Sequence, residues 1–176
     1  MDDEDEQFTL GVGMVVRAAT ALEYILHGLA ANLLGEKYAY GIKMAADPVS
    51  KHIEACEAAL GANASPIPPL AREPLLADLK SCRRALERRN VFVHCCWTFD
   101  DETQKWWGVK ASREKPKGRL QAEPAESYEL PELAAELHRL HGRMLAWDIE
   151  YFGENGDSEL GQGRASVKRT GLPPDT

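Results

Sequence analysis

The sequence predicts an all-α fold, a four-helix bundle with a small β-hairpin inserted before the last helix. Three observations lead there. Apolar residues make up 44% of the 176, Ala and Leu dominate them, and aromatics account for only 7%, a mix that favours helices over sheets. Four segments repeat apolar residues at steps of three and four, the pattern of one buried face on a helix. Between the third and fourth of these segments the period shortens to two.

The first helix is expected over residues 6–34, after an acidic tail at 1–5. Its stripe is Phe8, Val12, Val15, Ala19, Leu22, Leu26, Leu29 and Leu33, and Gly35 is a natural stop. Residues 36–46 are ambiguous, with helix allowed through Lys43. A second helix should take Asp47 as cap and Pro48 as its first residue, bury Val49, Ile53, Cys56 and Leu60, and end at Gly61. Pro66, Pro68 and Pro69 mark residues 62–73 as a loop. The third helix spans about 74–96 with Leu75, Leu79, Cys82, Leu86, Arg89 and Val93 in line, so a charged residue falls on or beside the inward face.

Trp97-Thr98-Phe99 and Trp106-Trp107-Gly108-Val109 alternate like strands around a polar turn at 100–105, and a Lys-, Arg-, Pro- and Gly-containing loop follows to about 127. The fourth helix begins near Pro131 and carries Leu133, Leu137, Leu140, Met144, Trp147 and Tyr151. From Gly153 to 176 the chain is Gly-rich and polar, and disorder is expected. The organisation is therefore one helical domain at 6–152 between two tails, with no internal repeat.

The net charge of −7 and pI near 5.3 exclude a uniformly basic nucleic-acid coat, so any contact with nucleic acid needs a local basic patch. The cysteines Cys56, Cys82, Cys95 and Cys96 form no C-x-x-C pair, and the opening MDDEDEQ is acidic where a signal peptide would be basic and then apolar. No apolar run is expected to reach membrane-spanning length. A reducing cytosol with free thiols is the expected setting, with Cys56 and Cys82 as small core residues.

One segment is chemically loaded, Arg89-Asn90-Val91-Phe92-Val93-His94 at the end of the third helix. An Arg and a His four to six residues apart are common. Requiring Asn directly after the Arg reduces chance occurrence to about one chain in a hundred of this length. The stretch Glu87-Arg88-Arg89-Asn90-Val91-Phe92-Val93-His94, followed by Trp97, resembles the R-N-x-x-x-H signature of the HEPN superfamily. Helix order and hairpin position extend the resemblance over about residues 6–152, although only the six-residue motif is specific. HEPN proteins are small helical bundles, frequent in toxin–antitoxin and anti-phage systems, and many are RNA endonucleases that need no metal.

The resemblance implies that Arg89 and His94 are the catalytic pair and Asn90 the polar position beside them. It also implies RNA as substrate, no cofactor, no metal, and an antitoxin or nucleotidyltransferase as partner. Antitoxin-paired members often have Tyr two residues after the His; Cys96 stands there in this chain. The residue chemistry agrees. RNA is cut when its own 2′-hydroxyl attacks the neighbouring phosphate, which needs an acid or base near neutral pH and a cation for the phosphorane. His supplies the first, Arg the second through a fork that matches phosphate oxygens, and an Asn amide can orient either.

Helix geometry constrains this pairing. Asn90 and His94 share a face, whereas Arg89 and His94 diverge by roughly 140° on an ideal helix. Either the helix deforms at its end, or two motifs meet across the axis of a homodimer. A purely structural reading of the same residues makes Arg89 an inward ion paired with Glu23 or Glu87, and His94 a C-terminal residue favoured by the helix dipole. It leaves a catalytically inactive RNA-, nucleotide- or protein-binding module, or a plain helical interaction protein.

Secondary RNA contacts are expected from Arg88, from Trp106 by base stacking, and from a basic arm of Lys105, Lys110, Arg113, Lys115, Lys117 and Arg119 that would guide the phosphate backbone. Of these, Lys115, Lys117 and Arg119 are the arm's central cations, and a solvated charged loop is its plain alternative. His138 and His141 have helical spacing for two metal ligands, but no Glu-x-x-His or cysteine partner accompanies them, so solvated histidines are the expectation.

Overall fold

The computed structural model describes residues 3–35, 47–111, 120–126 and 128–156. Among them the chain is mainly helical, with four helices and one three-stranded antiparallel sheet. Helix α1 is Asp3–Leu34, α2 is Val49–Gly61, α3 is Pro69–His94 and α4 is Glu129–Gly156. Strands β1 (Cys96–Asp100), β2 (Lys105–Ala111) and β3 (Leu120–Ala125) stand between α3 and α4 in the order β1-β2-β3.

Most residues of the predicted stripes form the core, Arg89 and Val93 of the third excepted. Phe8, Val15, Ala19, Leu22, Leu26, Leu29 and Leu33 of α1 are buried, with Val12 packed partly against them. They meet Leu75, Leu79, Cys82 and Leu86 of α3 and Leu133, Leu137, Leu140 and Met144 of α4. Gly11 lies so close to α4 that a Cβ there would come within 2.9 Å of Leu130, so only glycine lets the two helices approach at that level. At the other end Asn32 Nδ2 donates to Asp148 Oδ1 at 2.8 Å. These two contacts make α1 and α4 parallel neighbours. Helix α3 runs antiparallel to α4, since Arg88 pairs with Glu136 and Asp78 with Arg143.

Element boundaries depart from expectation in ways with local causes. Pro48, expected as the first residue of α2, is its N-cap, and no side chain closes that end. Helix α3 starts at Pro69 rather than Pro74. Pro69 supplies a preset φ at the first helical position. Pro74 is tolerated inside because the bond it forfeits involves the carbonyl of Leu70, a residue 95% exposed at the helix start. The same helix ends at His94, two residues early, where Cys95 turns extended (φ −88°, ψ 150°). Helix α4 begins at Glu129, where the Glu129 carboxylate accepts from the Glu126 amide at 3.0 Å. It continues past Gly153 to Gly156, so the expected boundary of the C-terminal tail moves. Residues 157–176, 36–46 and 112–119 lie outside the described residues.

The hairpin is present, with β1 and β2 in register from Cys96↔Val109 to Asp100↔Lys105. A third strand, β3, lies where only a loop is expected. Its sequence LQAEPA has no β-branched residue and contains Pro124, which a sheet admits only at an edge; β3 is such an edge. The expectation about apolar length also needs correcting: within α1, residues Glu4–Leu34 are long and apolar enough to cross a membrane by length and composition alone. One face of that helix is in the core, while Leu10, Met14, Val16 and Tyr24 are exposed.

Candidate functional site at the end of the third helix

Position 89 falls on the buried stripe of α3, and the side chain follows that geometry. Arg89 points between helices, where Nη2 donates to Oε1 of Glu23 on α1. The Arg89 side chain is 17% exposed and that of Glu23 34%. Burial pushes the guanidinium pKa down, and its Nε is buried with no hydrogen-bond partner among the described residues. Glu87, the other carboxylate considered for this role, is exposed.

Asn90 and His94 lie one turn apart on the outer side of the same helix, and both are exposed. Because α3 stays α-helical through His94, the divergence of roughly 140° between positions 89 and 94 persists. The structure therefore brings Asn90 and His94 onto one face and turns Arg89 away from them.

Trp97 anchors the sheet to this helix end. Its Nε1 donates to the Phe92 carbonyl at 2.8 Å, satisfying one of the acceptors that a helix leaves open at its C-terminus. The Phe92 and Trp97 rings stack with centroids 5.4 Å apart. Gly108, the cross-strand partner of Trp97, lies close against the indole, where a Cβ would come within 2.7 Å of the ring. Beside it, Arg88, Val91, Phe92, Pro124 and Glu129 line a shallow hollow of about 150 Å³. Arg88 is exposed at its rim and pairs with Glu136 at 3.1 Å.

Trp106, expected to stack on bases, is instead a core residue. It is 6% exposed and stacks on Phe8 at 4.1 Å, because the inward alternation of β2 assigns it, and not Trp107, to the core. Of the basic arm, Lys105 is tied to Glu126 at 2.9 Å, a hydrogen bond that also raises its pKa. Arg113, Lys115, Lys117 and Arg119 lie outside the described residues.

Glu23 is the residue in this site that the sequence named only as a structural partner. A second polar group was missed altogether. Asp78, 3% exposed, accepts from Trp147 Nε1 at 2.9 Å and pairs with Arg143. Its signal was present, since position 78 sits on the stripe between Leu75 and Leu79. Cys56 and Cys82 are buried thiols pushed up to about 12, mainly by desolvation, and so remain protonated. Among the described residues no group of three His, Cys, Asp or Glu is placed to hold a metal ion.

Asp148, at the end of α4 remote from the site, offers a test of the helix packing. Burial raises its pKa and the Asn32 hydrogen bond lowers it by less. A carboxylate with a raised folded pKa is destabilising once pH exceeds that value, and the penalty disappears when folded and unfolded forms are both protonated. Asp148→Asn is therefore expected to melt higher than wild type at pH 7, with the gain shrinking as pH falls through the carboxylate range. Calorimetry at several pH values checks this; an equal gain at all pH values would contradict it.

No family model, curated protein or solved structure matches this chain.

Proposed function

We propose that the chain is a metal-independent endoribonuclease of the HEPN type, acting as a homodimer in the cytosol, in bacterial defence or stress, with an antitoxin or nucleotidyltransferase as its regulating partner. One observation carries the reading: Arg89-Asn90-x-x-x-His94 closes a helix whose last turn leaves Asn90 and His94 exposed on one face. In this reading His94 moves the proton of the attacking 2′-hydroxyl or of the leaving 5′-oxygen. Arg89 stabilises the phosphorane, and Asn90 orients the imidazole or the phosphate. A two-fold axis near the end of α3 places Arg89 of one copy across from His94 of the other, which answers their divergence within a protomer. Arg88 contacts the flanking phosphates, and Lys115, Lys117 and Arg119 add further cations for the RNA backbone.

A second reading is favoured by one contact. Arg89 already has an anion in Glu23, as it would in a catalytically inactive module that binds RNA, a nucleotide or a protein. The experiment that separates the two uses RNA, the matching DNA and 2′-O-methylated RNA, each with and without EDTA. The proposal expects cutting of RNA alone, unchanged by EDTA. Equal cutting of DNA, or binding without cutting, would overturn it.

A further inference from the structure

We propose that Glu23 occupies on Arg89 the place that an RNA phosphate takes, so that the protein carries an internal anion which its substrate must displace. The inference rests on the reading of Arg89 as the cation that meets the scissile phosphate.

The geometry of the pair supports it. Arg89 is a mostly buried cation on α3 whose charge is opposed by its surroundings, so it demands a counter-anion. Carboxylate and phosphate are the two oxyanions that match a guanidinium fork. Nε is enclosed in protein without a partner among the described residues, which leaves the Nη end as the part an incoming ligand can reach. That end is what Glu23 holds. Glu23 is also the more exposed partner, 34% against 17%, so it stands on the solvent side of the pair. A phosphate arriving at Nη would meet the carboxylate at hydrogen-bonding separation, and two anions repel strongly at that distance in a partly dry site.

The neighbouring arginines differ. In the pairs Arg88–Glu136 and Arg83–Glu57 the arginine itself is more open to solvent than Arg89, with side-chain exposures of 47% and 33% against 17%. Water and salt screen those arginines more than they screen Arg89 and leave less for a substrate to compete with. Arg89–Glu23 is the pair whose exchange for phosphate would be felt in affinity.

The test is binding of a non-cleavable, 2′-O-methylated RNA oligonucleotide to the full chain, followed by fluorescence anisotropy at fixed low salt. Glu23→Gln, which keeps the shape and removes the charge, should bind about tenfold more tightly than wild type. Glu23→Asp, which keeps the anion, should stay near wild type. In the Glu23→Gln/Arg89→Ala protein the gain over Arg89→Ala should be absent. A Glu23→Gln protein that binds no better, or a gain that persists without Arg89, would overturn the competition. So would failure of Glu23→Gln to melt cooperatively, since the pair would then be structural. If the wild type cleaves RNA but Glu23→Gln shows no gain, the competition alone falls. If no variant binds or cleaves RNA, the ribonuclease reading falls and takes this inference with it.

Discussion

Replacing His94 or Arg89 by alanine is expected to lower RNA cleavage roughly a hundredfold or more. Each removes one of the two groups to which the proposed cleavage assigns the chemistry. The two variants should differ in stability, because their surroundings differ. His94 is exposed at a helix end, so His94→Ala should melt close to wild type. Arg89→Ala leaves Glu23 without its cation in a partly buried setting. A loss of about 1–2 kcal/mol is expected, below the value for a fully buried pair because solvent reaches both partners. Asn90→Ala should reduce the rate less, since an orienting amide is replaceable by water.

Mixing the two inactive proteins tests the dimer as well. If Arg89 of one copy serves His94 of the other, a mixed dimer contains one intact site, and up to about a quarter of wild-type activity should return after subunit exchange. Continued inactivity of the mixture, with exchange demonstrated, would count against a shared site.

The largest expected stability effect lies away from the motif, at Asp78. Its carboxylate sits on the buried side of α3 and satisfies Trp147 and Arg143 of α4. Asp78→Ala leaves the Trp147 Nε1–H without its acceptor and opens space between the helices. The expected cost is about 2–4 kcal/mol, or roughly 5–15 °C in melting temperature for a chain of this size. Asp78→Asn retains an acceptor for Trp147 and should lose less. In the double variant with Trp147→Phe the loss should fall short of the sum of the singles, because the donor and acceptor belong to one bond. Thermal melts of the four proteins decide it; strict additivity would show that the bond carries no stability of its own.

What was legible in the sequence was periodicity. Phe8 to Leu33 and Leu133 to Met144 lie on the buried faces expected of them, since burial of an apolar stripe depends only on spacing along one helix. The inward position of Arg89 was legible for the same reason. Its partner was not selected by the sequence, because choosing Glu23 over Glu87 requires the register of α1 against α3, a contact across 66 residues. Asp78 shared the stripe yet was overlooked, because a carboxylate on an apolar face is identified only by what faces it. Strand β3 was hidden by Pro124 and by residues of low strand propensity, which an edge tolerates. The pair Trp106-Trp107 could not be divided into inner and outer residues until the Phe99↔Trp106 register was known.

The most direct test of the central claim is the chemical identity of the ends that the wild-type protein produces from a short RNA in EDTA, read by mass spectrometry. Attack by the 2′-hydroxyl predicts a 2′,3′-cyclic phosphate on one fragment and a 5′-hydroxyl on the other, and neither from the His94→Ala protein. A 5′-phosphate with a 3′-hydroxyl, or the disappearance of all products in EDTA, would contradict it.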